Sequence, residues 1–439
     1  MPDSELRTAS DTIFAPATGT GKAAIAIIRI SGPFAHGAVQ QLAGRLPPFR
    51  ELALRTLRDA EGEALDQGMV VIFPEGASYT GEAMAEIHCH GSQAVISDVI
   101  DQLSAMPAMR MAEPGEFTRR ALMAGRMDLS EAEGLHALLE AETREQRRQA
   151  LRIQSGAVSE RSRKWSEILL QARALVEVAI DFSDEEVPDD TLAGALELVE
   201  RALADMEAEL SRALPAERLR SGFEVAIIGP PNVGKSSLLN AIAGREVALV
   251  TDIAGTTRDI LEVRTDLGGL PVVFLDMAGL RKSADKVEAL GIARAEARGE
   301  AADLRVFLSA SDVGPLDWSM ERQDGDIEIW SKCDLEPRSG MLNVSAATDA
   351  GISELLELIR TRLMSRVAEM GILAIERQRL AVEAARESLE RCRTNLKADL
   401  PEIAGEELRF AMATLDRLIG RFGTEDVLDK IFAGFCLGK

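Results

Sequence analysis

"FEVAIIGPPNVGKSSLLNAIAG", residues 223–244, decides the fold of the segment around it. An apolar run ends at Gly229, and Gly234-Lys235-Ser236 complete the G-x-x-x-x-G-K-[ST] spacing before a helix-forming stretch. Glycines at that spacing let backbone N–H groups wrap a phosphate, and the lysine and hydroxyl add a cation and a Mg²⁺ ligand. Asn232, Val233, Gly234, Lys235, Ser236 and Ser237 are therefore the expected phosphate-binding set. Lys235 is expected to reach the β and γ oxygens, and Ser236 to bind Mg²⁺.

Working outward, three further pieces follow in the order a guanine-nucleotide switch requires. "DIAGTTRD" (252–259) holds Thr256 and Thr257, candidates to close on Mg²⁺ and the γ-phosphate. "VVFLDMAG" (272–279) ends in Asp276-x-x-Gly279, where Asp276 can sit in the outer Mg²⁺ shell and the Gly279 N–H can sense the γ-phosphate. "IEIWSKCDL" (327–335) supplies Ser331, Lys332 and Asp334 where a guanine reader has Asn-Lys-x-Asp. Asp334 can take two guanine protons and Lys332 can cover the base, while Ser331 weakens one contact. "NVSAATDAG" (343–351) offers Ser345, Ala346 and Ala347 as the last base loop. An adenine would leave Asp334 facing an acceptor, which favours guanine. The position after Gly279, where many such enzymes orient water with Gln, is Leu280; Glu288 is an alternative carboxylate, read from the residues alone as a surface charge.

The rest of the chain sets the frame. At 439 residues it is long enough for several domains, and its hydrophobic content of 46% is globular. A net charge of −22 makes a poor grip for a phosphate backbone, so an RNA role needs a local basic patch or a basic partner. No apolar run approaches the ~20 residues of a membrane span, and "MPDSELRTAS" is not a signal sequence. Cys89, Cys333, Cys392 and Cys436 are scattered, as expected of free thiols in a cytoplasmic protein with no membrane partner. Strands are expected in "AAIAIIRISG" (23–32), "GMVVIF" (68–73) and "MAEIHCHG" (84–91). Helical periodicity runs through "LHALLEAETREQRRQALRIQ" and on to about 215, and returns from about 372. The pattern is an α/β domain inserted in one helical bundle. Arg29 interrupts an apolar strand and needs a partner. Glu86 alternates onto one side with His88 and His90, too few ligands for a metal centre. The closing "FCLGK" is a weak prenylation signal, because Lys439 stands last and the residues before it are acidic; Cys436 is either an incidental thiol or one delivered to a site elsewhere.

Together with "YTGEAMAEIHCHGS" (79–92), "EPGEFTRRALMAGRMDLSEAEGL" (113–135), "TDIAGTTRDI", "DMAGLRKSADKVEALGIARA" and the terminal "FCLGK", the phosphate loop resembles the MnmE (TrmE) family of tRNA-modifying GTPases over nearly the whole chain. The resemblance implies a multidomain α+β and α/β protein. Residues 1–125 would form an α+β tetrahydrofolate-binding and dimerisation domain. Residues 126–215 and 371–439 would form a helical domain, with a Ras-like P-loop GTPase domain inserted at 216–370. It implies GTP/GDP, Mg²⁺ on Ser236 and Thr257, and K⁺ on Asn232, Thr251, Ile253 and Thr256. The loop Thr251, Asp252, Ile253, Ala254, Gly255, Thr256, Thr257 would contact the nucleotide. Glu288 becomes the implied catalytic carboxylate beside Lys235, reversing the surface reading. Arg29, Glu86, Arg126 (a lysine in the family) and Lys439 would bind 5,10-methylenetetrahydrofolate or 5-formyltetrahydrofolate, and Cys436 would serve the modification. The implied partners are a second copy, in a homodimer, and the FAD-dependent MnmG in a heterotetramer that carries most of the tRNA binding. The implied product is an aminomethyl or carboxymethylaminomethyl group on C5 of the wobble uridine, position 34. The rival reading is a GTP-dependent switch or ribosome-associated scaffold without catalytic output, which calls for a basic RNA-binding module beside the nucleotide domain.

Overall fold

The computed structural model describes residues 11–19, 21–181, 191–245, 262–277, 297–313, 322–323, 325–368, 370–420, 432, 434–435 and 438. Packing divides the chain into two compact units, 1–136 with 419–439, and 137–418.

The first unit is α+β. Its strands are β1 (Thr12–Pro16), β2 (Ile25–Ser31), β3 (Ala53–Arg58), β4 (Ala64–Phe73), β5 (Met84–His90) and β6 (Met109–Met111). They form one sheet in the order β3-β4-β5-β2-β1-β6, antiparallel except for the parallel β1–β6 pair. Alternation along β2 and β5 sends Ile28, Ile30, Ala85, Ile87 and Cys89 into a core with α1 (Ala35–Ala43) and α2 (Gln93–Ser104). The other parity sends Arg29 and Glu86, which are directly opposite each other, to the second face. There Ile13 and Ala15 pack with Phe117 of α3 (Glu116–Met123) and with Tyr79. Leu129, at the start of α4 (Leu129–Leu139), clusters with Phe432 and Phe435 and donates its N–H to Ile419 O at 3.3 Å.

The second unit holds α5 (Arg144–Gln154), α6 (Ala157–Asp181), α7 (Thr191–Leu210) and α8 (Ala213–Ser221). A nucleotide-type sheet follows, with β7 (Phe223–Ile228), α9 (Lys235–Ala243), β8 (Glu262–Leu267), β9 (Leu270–Asp276), β10 (Leu304–Ser309), β11 (Ile327–Trp330), β12 (Leu342–Asn343) and α10 (Ile352–Val367). Then come α11 (Glu376–Lys397) and α12 (Pro401–Leu418). The sheet order is β12-β11-β10-β7-β9-β8, parallel apart from the β8–β9 hairpin. The chain therefore builds outward from β7 in both directions, and the loop after β7 lies at the switch point where such sheets take ligands. Helices α6, α7, α11 and α12 share one apolar core, so the bundle is completed only after the Ras-like α/β segment has been inserted. Among the described residues no helix is long and apolar enough to cross a membrane.

The run 135–154, read as one helical stretch, is two helices. Thr143 and Gln146 form a capping box that starts α5 afresh: the Gln146 N–H donates to Thr143 Oγ1, and Gln146 Oε1 accepts from the Thr143 N–H at 3.0 Å. Helix-favouring residues such as Leu139, Glu140, Ala141 and Glu142 hide the break, because propensity alone cannot mark a cap.

Ionic contacts tie the first unit together. Arg110 binds Asp11 at 2.7 Å and Glu116 at 2.6 Å; Arg120 binds Asp11 at 2.9 Å, Glu116 at 3.0 Å and Glu82 at 3.1 Å. Ser31 Oγ donates to Glu82 Oε2 at 2.6 Å, linking the network to β2. Burial alone would raise the pKa of Asp11 and Glu116, but hydrogen bonds and charge from Arg110, with Arg120, outweigh it and hold both below the usual carboxylate range. Such carboxylates add stability above their unfolded pKa, about 4, and that stability is lost as pH falls through their lower folded values. Arg110→Met is therefore expected to lower the urea midpoint of this unit at neutral pH. Its gap from the wild type should narrow as pH falls from about 5 to about 2.5. A gap constant over that range would remove the network from the account of acid stability.

Candidate functional site

The phosphate loop is shaped by its flanks. β7 is apolar and almost wholly buried, and α9 starts at Lys235 behind Gly234, whose φ of 102° suits glycine. Asn232 is exposed and also sits at positive φ, 63°, the conformation that turns the loop back. The Lys235 side chain is 6% exposed, and its ammonium donates to the carbonyls of Gly229 at 2.7 Å and Pro230 at 3.0 Å. Burial pulls this ammonium below its usual pKa, with the Asp276 charge acting in the opposite direction. A cation held by two loop carbonyls is positioned to meet an anion inside the same loop.

Ser236, in the first turn of α9, donates Oγ–H to Asp276 Oδ2 at 2.7 Å. Asp276 ends β9 and is 7% exposed. Two hard oxygen donors side by side fit the coordination chemistry of Mg²⁺.

The remaining candidate groups follow β11 and β12. Ser345 Oγ donates to Asp334 Oδ1 at 2.5 Å and accepts from the N–H groups of Ala347 and Thr348 at 3.2 and 3.3 Å. Asp334 is thereby aimed by the Ser345-Ala346-Ala347 loop. Lys332, at φ 56°, binds Asp312 at 2.6 Å. Ser331 is 6% exposed, and a Cβ built on Gly234 would lie 3.0 Å from its Oγ. Ser331 therefore lies close against the phosphate loop, a proximity that sequence reasoning missed because only the fold juxtaposes the two loops. Thr251, Asp252, Ile253, Ala254, Gly255, Thr256, Thr257, Gly279 and Glu288 lie outside the described residues, as do Cys436 and Lys439.

A second polar site lies on the first unit's open sheet face. Arg29 on β2 donates through Nε at 3.0 Å and Nη2 at 2.9 Å to a single oxygen, Glu86 Oε1. The two side chains are 16% and 14% exposed. The guanidinium lies 5.3 Å from the Tyr79 ring centroid and 5.8 Å from that of Phe117, cation–π distances. Its remaining Nη1 donates to Gly438 O at 3.2 Å. His88 Nε2 lies 3.4 Å from Glu86 Oε2, leaving that oxygen the less occupied of the pair. Tyr79 Oη bonds Thr118 Oγ1 at 2.8 Å; burial raises the phenol's pKa, countered by Thr118 and Arg29. Arg126 is held elsewhere, donating Nη1 to Gly76 O at 3.3 Å and flanking Gly81. Of the expected set, then, Arg29 and Glu86 meet, and Arg126 lines the loop that carries Tyr79. Tyr79 and Phe117 were missed; Tyr79 is the only tyrosine of the chain, a signal available beforehand.

Gly438 is held too closely for a side chain, since a Cβ would lie 2.3 Å from Ala17 Cα and 2.4 Å from Pro16 O. Gly438→Ala is expected to release this segment from Arg29. Amide hydrogen exchange across residues 432–438 should then speed up by an order of magnitude or more. Unchanged exchange would mean that the contact does not hold the segment.

Family comparison agrees along the chain. The model described as GTP-binding protein TrmE N-terminus matches residues 12–126, and the one described as MnmE helical domain matches residues 129–436. The chain is similar to a protein of Cereibacter sphaeroides named tRNA modification GTPase MnmE, 51% identical over 431 residues and covering 98% of this chain and 100% of that one. A protein of the same name from Dinoroseobacter shibae is 49% identical over 430 residues, with 98% and 100% covered.

Proposed function

The chain belongs to the MnmE family of tRNA modification GTPases, and from that membership we propose that it hydrolyses GTP to drive modification of the wobble uridine, position 34, of certain tRNAs. The group added at C5 is aminomethyl or carboxymethylaminomethyl. It is installed with an FAD-dependent partner, MnmG, in a heterotetramer built on a homodimer of this chain. The carbon comes from 5,10-methylenetetrahydrofolate or 5-formyltetrahydrofolate. The observation that carries the reading is the Arg29–Gly438 hydrogen bond, which ties Gly438 to a partly buried Arg–Glu pair flanked by two rings.

In this reading residues 1–125 bind the folate and dimerise, 126–215 and 371–439 form the helical domain, and 216–370 is the GTPase domain. Glu86 takes the pterin's ring N–H and amino group, as Asp334 takes those of guanine, and Arg29 orients the Glu86 carboxylate through two hydrogen bonds. Arg126 and Lys439 supply cations to the rest of the folate, and Cys436 serves the modification step. Lys235 neutralises the β and γ oxygens. Mg²⁺ is held by Ser236 and Thr257 with Asp276 behind, and adds charge neutralisation at the phosphates. Asn232, Thr251, Ile253 and Thr256 hold K⁺, which supplies the positive charge other GTPases take from an arginine finger. Glu288 orients the attacking water. The loop from Thr251 to Thr257 and the Gly279 N–H close on the nucleotide when two GTPase domains dock.

GTP turnover is measured first, at high protein concentration in KCl and in NaCl. Potassium is expected to stimulate it strongly, and Glu288→Ala to abolish it while GTP still binds. Equal slow rates in both salts would overturn the roles of Asn232 and Glu288. Equilibrium dialysis against 5-formyltetrahydrofolate tests the other site. Glu86→Gln is expected to weaken binding by about tenfold to a hundredfold, the worth of a hydrogen bond to a charged group. Unchanged affinity would remove Glu86 from folate recognition.

A further inference from the structure

We propose that the solvent face of α5 is a contact surface for the RNA phosphate backbone, so that this chain itself holds part of the tRNA. The inference rests on the tRNA-modification reading and adds to it a place and a set of residues.

At about 100° per residue, the buried side of α5 is Gln149, Ala150 and Ile153. The opposite side is Arg144, Arg147, Arg148, Leu151 and Arg152, all exposed. The only acid on the helix is Glu145, whose side chain is 16% exposed and bonded to Arg148 at 2.6 Å. Among the described residues no carboxylate lies within ion-pair distance of Arg144, Arg147 or Arg152. This face is strongly cationic in a chain whose net charge is −22.

Helix stability does not explain the pattern. Arg144, Arg148 and Arg152 stand at successive i,i+4 positions, where like charges repel. Arg144, Arg147 and Arg148 lie in or next to the first turn, where cations oppose the helix dipole. The capping box at Thr143 and the docking of Glu145 N–H on Gly269 O at 3.1 Å hold the helix start in place against these terms. A row of cations advancing about 6 Å per step suits a polymer with a regularly repeated negative charge, and an exposed arginine can form paired hydrogen bonds with phosphate oxygens. The adjoining cleft, lined by Gln146, Arg220 and Arg264 but also by Glu140 and Glu142, is of mixed charge, so the assignment stops at the outer face of α5.

The test uses the full chain and an in vitro-transcribed tRNA with an unmodified wobble uridine, followed by fluorescence anisotropy from about 50 to 200 mM KCl. The variant is Arg147→Glu with Arg152→Glu, which breaks no ion pair among the described residues. Its circular dichroism and GTP turnover without tRNA are expected to match the wild type. Its tRNA affinity should fall about tenfold or more at low salt, and the slope of log K against log salt should drop by about 1.4–2, two phosphate contacts' worth. Equal affinity and slope in both proteins would overturn the surface, as would a wild-type chain that binds no tRNA at low salt. In either case wobble-uridine modification by the wild type with its flavoprotein partner decides separately whether the tRNA reading stands. A variant that keeps its tRNA affinity but no longer co-elutes with that partner would make the face a protein interface, and would also overturn the proposal.

Discussion

The fold of the second unit depends on a junction at Gly371 and Ile372. A bundle made of α6, α7, α11 and α12 can tolerate a whole α/β segment within it only if the chain leaves and re-enters at one place. Here the Gly371 N–H donates to Arg212 O at 3.1 Å, closing exit on entry. The Ile372 N–H donates to Glu209 Oε1 at 2.6 Å, and Gln149 Nε2 donates to Gly371 O at 2.9 Å. Glu209 is 3% exposed, and its buried carboxylate is met by the Ile372 N–H and by the Arg161 guanidinium at 3.4 Å. A Cβ at Gly371 would lie 2.5 Å from Glu209 Oε1, so a side chain there would have to displace the carboxylate that the Ile372 N–H bonds. Since α5 supplies Gln149, the same junction orients the helix whose outer face is cationic.

From that junction a rigid route leads to the nucleotide loop. The N-terminus of α5 meets the β8–β9 turn at Gly269, and Gln146 Nε2 donates to Arg220 O at 3.0 Å, just before β7. β9 runs from that turn to Asp276 with every residue buried, and Asp276 bonds Ser236. A buried strand packed on both sides is displaced as a body rather than bent. The seven residues of that strand thus connect the turn that meets the α5 start to the carboxylate that bonds Ser236.

Legibility in the sequence followed the locality of the forces. β7, the phosphate loop and α9 could be read because strand, glycines and helix are consecutive, and β2, β4 and β5 because β-branched residues or alternation mark them. β1, with Pro16 at its end, β3 (ALRTLR) and β6 (MRM) lack that pattern and exist because neighbours pair with them. Arg29 was legible as needing a partner, but that its partners are Glu86 and Gly438 depends on strand register and on a contact 409 residues away in the chain. Only the buried side of α5, visible once Gln149, Ala150 and Ile153 are known to point inward, shows that its arginines share one face.

The pairing on the open sheet face contributes more to placing side chains than to the stability of the sheet. A buried ion pair is weak evidence of stability, since desolvating both groups offsets most of their attraction. Here both donors of Arg29 converge on one carboxylate oxygen, and the third donor goes to a backbone carbonyl of the 432–438 segment. Two rings replace water around the cation. Such an arrangement presents Oε2, 3.4 Å from His88 Nε2, as the less occupied acceptor of the carboxylate. The third donor is satisfied only while Gly438, the chain's last described residue, is seated against Pro16 and Ala17, and loss of that seat would leave a part-buried guanidinium N–H without an acceptor.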